Sequence, residues 1–152
     1  PCRPKSRGQV TLTSSEPRNP PLIDMNFLGN DSDLHDVRAG IDCIEALLDN
    51  KELKEITVKE KSVALSEKTM EEKLDDFRNR SVSIYHLCGT CRIGSDPHQA
   101  PVSNEFKLRG LENLWIADAS LFPNVTSGNI NAPVMMLAVK AAESILKQLG
   151  KM

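Results

Sequence analysis

Tyr85-His86-Leu87-Cys88-Gly89-Thr90-Cys91-Arg92-Ile93-Gly94 and, further along, Asp118-Ala119-Ser120-Leu121-Phe122-Pro123 with Ser127-Gly128-Asn129-Ile130-Asn131-Ala132-Pro133 are the stretches that decide the fold. A lone histidine or a lone glycine-rich turn carries little information. The ordered pair of segments is far more specific than either. Beyond them Val134, Ala138, Ala141, Ile145 and Leu149 recur at helical spacing, which predicts a helix with one buried stripe. Pro133 suits its first turn, where a missing N–H costs nothing, and Gly150 suits its stop. Between the two segments, Asn113-Leu114-Trp115-Ile116-Ala117-Asp118 predicts a buried strand closing on a polar residue. Trp115 and the Met135-Met136 pair are expected in the core.

Upstream, Gln9-Val10-Thr11-Leu12-Thr13 alternates polar and apolar residues and predicts a strand. Pro17, Pro20 and Pro21 break any regular element after it. Asn30-Asp31-Ser32-Asp33 carries helix N-cap chemistry. Leu34, Val37, Ile41, Ile44 and Leu48 then mark one face of an amphipathic helix ending near Asp49-Asn50. From Lys51 to Arg80 there are 8 Lys or Arg and 8 Asp or Glu, the density of a solvated face. Met70, Leu74 and Phe77 mark a second helix there, with Thr69-Met70-Glu71-Glu72 as its capping box.

Composition bounds the function. The 152 residues suit one compact domain, and 39% hydrophobic with 26% charged residues is ordinary for a globular chain. A net charge of −2 is too balanced for a protein that coats phosphates, and 4% aromatics make a base-stacking platform a poor reading, so no nucleic acid partner is expected. No apolar run approaches the ~20 residues of a membrane span, so no transmembrane segment is expected either. Pro1-Cys2-Arg3-Pro4-Lys5 is neither an initiator Met nor a signal peptide, and the start reads as the middle of something longer. With no targeting signal in this segment, a cytoplasmic location is expected. Four cysteines are too few for a disulfide scaffold.

These segments resemble the C-terminal part of the glucose–methanol–choline (GMC) family of flavin oxidoreductases. That family carries His-x-x-Gly-Thr-Cys-Arg-Met-Gly, a Val-x-Gly-x-x-Asn-Leu connection and an Asp-Ala-Ser-x-x-Pro strand end. A second active-site His or Asn and a closing helix follow. Here the matching residues are His86, Gly89-Thr90-Cys91-Arg92-Ile93-Gly94, Leu108 to Leu114, and Asp118 to Pro123. Asn129-Ile130-Asn131-Ala132-Pro133 is most similar to the choline-dehydrogenase-like branch. Pro4-Lys5-Ser6-Arg7-Gly8-Gln9-Val10 resembles the strand that opens the family's C-terminal domain. Ile93 stands for the usual Met, and Ser103 stands where an Asp is common. The resemblance covers nearly the whole chain, most specifically residues 84 to 145.

The resemblance implies an α+β fold: an antiparallel sheet with packed helices on one side, gaps where a missing half would pair, and a last helix that returns toward the FAD domain. It implies FAD as cofactor, a small primary or secondary alcohol as substrate, and oxidation of that alcohol to a carbonyl. His86 corresponds to the base, and an unperturbed imidazole titrates near neutrality, as such a base requires. Asn129 corresponds to its amide partner, which can orient an alkoxide. Asp118 and Ala119 correspond to the strand end near the cofactor's ribityl and phosphate region. Asn131, Ala132 and Pro133 correspond to the helix start against the flavin, where a helix N-terminus favours negative charge. Plainer readings exist: a core histidine for His86, a turn residue for Asn129, a cap or turn aspartate for Asp118.

The G-x-G-x-x-G fingerprint of an FAD-binding Rossmann half does not occur in the sequence. Residues 1–152 are therefore expected to be the substrate-side domain of a larger enzyme, partnered by its N-terminal FAD-binding part. Alone, the chain is expected neither to hold FAD tightly nor to turn over alcohol, and an exposed apolar cut face could drive self-association. Two alternatives from other classes stand beside this one. Cys88-x-x-Cys91 could serve a thiol redox or metal-binding protein, although no second paired motif exists and Arg92-Ile93-Gly94-Ser95-Asp96-Pro97 is a poor helix start. His98 reads as an exposed loop residue, so no metal ligand set is expected. The third reading is a non-catalytic interaction module.

Overall fold

The computed structural model describes residues 3–56 and 65–151. Among these residues there are two short strands, β1 (Gln9–Thr11) and β2 (Leu22–Asp24), and four α-helices. The helices are α1 (Asp31–Leu48), α2 (Lys51–Ile56), α3 (Met70–Arg80) and α4 (Asn131–Gln148), with 3₁₀ turns at Leu65–Glu67 and Ala119–Leu121. β1 and β2 pair antiparallel, Val10 opposite Ile23. The α+β class holds, with a sheet of only two strands among the described residues. Part of the charge-rich stretch, residues 57–64, lies outside the described residues. The chain divides into two compact units: Arg3–Arg7 with Asn26–Ser83, and Gly8–Met25 with the segment from Ile84 onward.

In the first unit, the Asn30 side chain caps α1 by accepting from the Ser32 N–H at 2.9 Å. α3 carries the full capping box: Thr69 accepts from the Glu72 N–H, and Glu72 accepts from the Thr69 N–H at 2.7 Å. Val37, Ile41 and Leu74 form the buried cluster, flanked by Leu28, Met70 and Phe77. Lys73 reaches across from α3 to Glu45 of α1 at 2.6 Å. Ile44 and Leu48 continue the apolar face of α1 but are exposed. The reason is length: α3 has 11 residues against 18 in α1, so it covers only part of the stripe.

In the second unit, Val102, Phe106, Leu121 and Ala141 are the core, and Trp115, Ile116 and Leu137 pack on it. The expected buried strand over Asn113–Asp118 is not formed. Gly110 and Asn113 both take positive φ and turn the chain back on itself. What remains is a narrow pairing in which Leu108 N–H donates to Leu114 O and Ile116 N–H to Phe106 O, both at 3.0 Å. α4 forms as its spacing predicts, but of its stripe only Ala141 is fully buried, and Leu149 is exposed. Met135 and Met136, expected in the core, are exposed too. Its end is a Schellman motif: Gly150, at φ +64, donates its N–H to Lys147 O, and Lys151 donates to Leu146 O. No helix among the described residues is long and apolar enough to cross a membrane.

Candidate active site

The structure brings His86 and Asn129 together, with Nε2 of the ring 3.1 Å from Oδ1 of the amide across 43 residues of sequence. His86 is half-buried and Asn129 is exposed. Two orientations of the amide fit that contact. Either Nε2–H donates to Oδ1 or, with the amide turned over, Nδ2–H donates to an unprotonated Nε2.

The segment carrying each partner is held through hydrogen bonds to backbone groups. After His86, the N–H groups of Gly89 and Cys91 both donate to the carbonyl of Ser120 at 3.1 Å. Ile93 N–H donates to Leu121 O at 2.9 Å, and Gly94 N–H to Val102 O at 3.0 Å. Gly89 takes φ +96, and a Cβ there would lie 3.3 Å from the Phe122 carbonyl, so glycine fits the turn as no other residue does. On the other side, the Thr126 hydroxyl donates to Gly128 O at 2.8 Å, tying the turn before Asn129. Ile130, which follows it, is buried and begins α4.

Asp118 is found as a cap. Its Oδ1 accepts the Ser120 N–H at 2.8 Å and starts the turn that includes Ala119. Through Ser120 it holds the carbonyl on which the Gly89–Cys91 backbone hangs. Asn131, Ala132 and Pro133 form the first turn of α4. That helix start has no side-chain cap and no acidic residue in its first turn. Its leading N–H groups therefore point outward with their partial positive charge uncompensated by a carboxylate, which fits an electron-rich cofactor edge.

Cys88 and Cys91 are both half-buried, and Cys91 packs against the core. Among the described residues no group of three His, Cys, Asp or Glu side chains is placed to hold a metal ion. His98 is an exposed loop residue. Sequence reasoning missed the arginines that brace this region. Arg109 Nη2 donates to Gly94 O at 2.7 Å and its Nε to Ala100 O at 3.1 Å, while Arg92 Nε donates to Gln99 O. Nothing local in the sequence signals these bonds, because their acceptors are backbone carbonyls.

An α+β chain with a His–Asn pair at the mouth of a closing helix is the class these features define. The family model described as GMC oxidoreductase matches residues 4–138, and the chain belongs to that family. It is 39% identical to an alcohol dehydrogenase [acceptor] of Pseudomonas putida over 95% of this chain and 26% of the relative. It is 35% identical to an oxygen-dependent choline dehydrogenase of Cronobacter sakazakii, over 94% of this chain and 25% of that protein. Among solved structures it superposes on the formate oxidase of Aspergillus oryzae RIB40, studied for its FAD modification. The TM-score there is 0.85 at 29% identity, over 97% of this chain and 26% of that one. The chain thus spans about a quarter of the length of the relatives it matches.

Proposed function

We propose that this chain is the C-terminal, substrate-side part of an FAD-dependent enzyme that oxidises a primary or secondary alcohol to a carbonyl. The observation that carries the proposal is the 3.1 Å contact between His86 and Asn129. FAD, when bound, supplies the acceptor for the hydride that leaves the carbinol carbon. His86 takes the hydroxyl proton at Nε2, which needs the tautomer with that nitrogen unprotonated. The alcohol hydroxyl would replace Asn129 at the single Nε2 lone pair, and Asn129 would then turn its Nδ2–H to the alcohol oxygen and steady the charge developing there. Asn131 and Ala132 would meet the cofactor with the backbone N–H groups of the α4 start, and Pro133 fixes the direction of that turn. Asp118 and Ala119 would lie on the side of its ribityl chain. Family membership and the alcohol- and choline-oxidising relatives support this reading.

The partner it requires is the N-terminal FAD-binding part of the same enzyme. Met135, Val139 and Leu146 lie on one face of α4 and are exposed, which supplies apolar surface for that partner. The test uses the full-length, FAD-loaded enzyme. His86→Ala should cut turnover by about 10²–10⁴ with flavin content unchanged. Asn129→Ala should cost about 10²–10³. A His86→Ala enzyme with full flavin and undiminished alcohol oxidation would overturn the assignment.

A further inference from the structure

Arg92 and Arg109 close on the same short loop. Arg92 Nε donates to Gln99 O, and Arg109 Nε donates to Ala100 O at 3.1 Å. These carbonyls belong to neighbouring residues, which brings the two guanidiniums to one end of the loop. Arg109 Nη2 also donates to Gly94 O at 2.7 Å and to Ser95 O at 3.4 Å. Both arginines are exposed. A guanidinium carries five N–H donors and a full positive charge. Both terminal nitrogens of Arg92 and Nη1 of Arg109 take part in none of these bonds. Carbonyl oxygens satisfy donors but carry no net charge, so the two cations stay uncompensated. The acidic side chains nearby in sequence do not supply the missing charge. Asp96 Oδ1 accepts the His98 N–H at 2.9 Å. Among the described residues, neither Asp96, Glu105 nor Glu112 forms an ion pair with either arginine.

We propose that Arg92 and Arg109 form a binding site for the phosphate group of a soluble phosphate or phosphate monoester. Two like charges brought to one end of a loop favour an anion between them. Their bonds to the loop fix both guanidiniums in advance, so a ligand has less side-chain freedom to freeze. Arginine forks held in this way match the oxygens of a phosphate. A tetrahedral oxyanion presents oxygens in several directions, which suits two forks anchored on different carbonyls better than one planar carboxylate does. The pyrophosphate of FAD is another source of the same chemistry, and the test separates the two. The site does not depend on the alcohol-oxidising reading of the His86–Asn129 pair.

The test uses the full-length, FAD-loaded enzyme as wild type, Arg92→Ala, Arg109→Ala and Arg109→Lys. Phosphorus NMR titrations with inorganic phosphate and with glycerol phosphate are run at constant ionic strength made up with chloride. Flavin content and melting temperature are measured on each protein. Wild type should bind at least one of the two probes with a Kd on the order of 1 mM. Either Ala variant should weaken that binding about tenfold or more. Arg109→Lys, which keeps the charge and loses the fork, should weaken it less than Arg109→Ala. Flavin content should stay the same throughout. Arg109 also braces the loop, so Arg92→Ala, which removes a single brace, decides the matter where Arg109→Ala fails to fold. A wild type that binds neither probe overturns the proposal. If flavin content then falls in the Ala variants, the arginines belong to the cofactor's pyrophosphate. If flavin stays and the melting temperature falls, they belong to a carboxylate elsewhere in the enzyme. Binding that is unchanged in both Ala variants marks an adventitious ion only and overturns the proposal as well.

Discussion

Asp33 offers the sharpest test of how the first unit is built. It is 1% exposed, and its carboxylate accepts the N–H of Lys5 at 2.6 Å and the N–H of Ser6 at 2.8 Å. The Ser6 hydroxyl also donates to it and in turn accepts the Asn30 N–H at 3.1 Å. One carboxylate therefore ties residues 5 and 6 to the first turn of α1. A hydrogen bond to a charged group contributes about 1.5–3 kcal/mol, and these are partly buried, so water recovers some of the loss. Asp33→Ala should then cost about 2–4 kcal/mol. Asp33→Asn should cost less, about 1–2 kcal/mol, because Oδ1 still accepts from Lys5 while Nδ2 faces the Ser6 N–H, donor against donor. Denaturant unfolding measures the first quantity. Hydrogen exchange at the Lys5 and Ser6 amides measures the local loss, which should be larger in the Ala variant. Wild-type exchange at both amides in Asp33→Ala would refute the argument.

The same site sets a pH dependence. Burial pushes the Asp33 carboxyl up, but the Lys5 and Ser6 donors outweigh it and hold it below the usual aspartate value of 3.8. The folded state therefore prefers the ionised form. Its contribution is complete above pH 3.8 and is lost as the pH falls through the lower folded value. An Asp33→Asn protein should lose less stability on acidification than wild type below that point.

Two further substitutions probe the frame. Gly89→Ala must place a Cβ 3.3 Å from the Phe122 carbonyl at φ +96, and should destabilise by about 1–3 kcal/mol in thermal or denaturant unfolding. Thr69→Ala removes the acceptor for the Glu72 N–H and should cost about 1 kcal/mol, visible as faster exchange in the first turn of α3 while the second unit is unaffected.

Local chemistry made the helix starts readable. Asn30 and Thr69 cap donors two and three residues away, so spacing alone exposes them. Asp33 was readable only as part of that cap, because its partners lie 28 and 27 residues upstream and two of the three are backbone amides with no side-chain signature. The Asn113–Asp118 strand failed for a related reason. An apolar run reports which side chains could be buried, and the positive φ of Asn113, a side chain that tolerates it, decided where the backbone went. Tyr85 was hidden for the opposite reason, since nothing in a tyrosine announces a left-handed backbone.

The site itself was readable through the joint occurrence of two motifs, and the structure supplies the physical reason they occur together. Asp118 accepts the Ser120 N–H, and the Ser120 carbonyl accepts from Gly89 and Cys91, three residues after His86 and beyond. The Asp-Ala-Ser turn and the His-to-Gly stretch are thus two halves of one hydrogen-bonded frame. The Phe122 carbonyl crowds the same turn, lying 3.3 Å from where a Cβ on residue 89 would sit. A change in either half moves the carbonyl or the amides that meet it, and the imidazole moves with them. Asn129 is held separately, by the Thr126–Gly128 turn and the buried Ile130, so the 3.1 Å contact measures how well two independently anchored segments meet. Loosening the Asp118 cap should therefore lengthen that contact, and it should also be felt in α4, because Leu121 of the capped turn shares a buried cluster with Ala141.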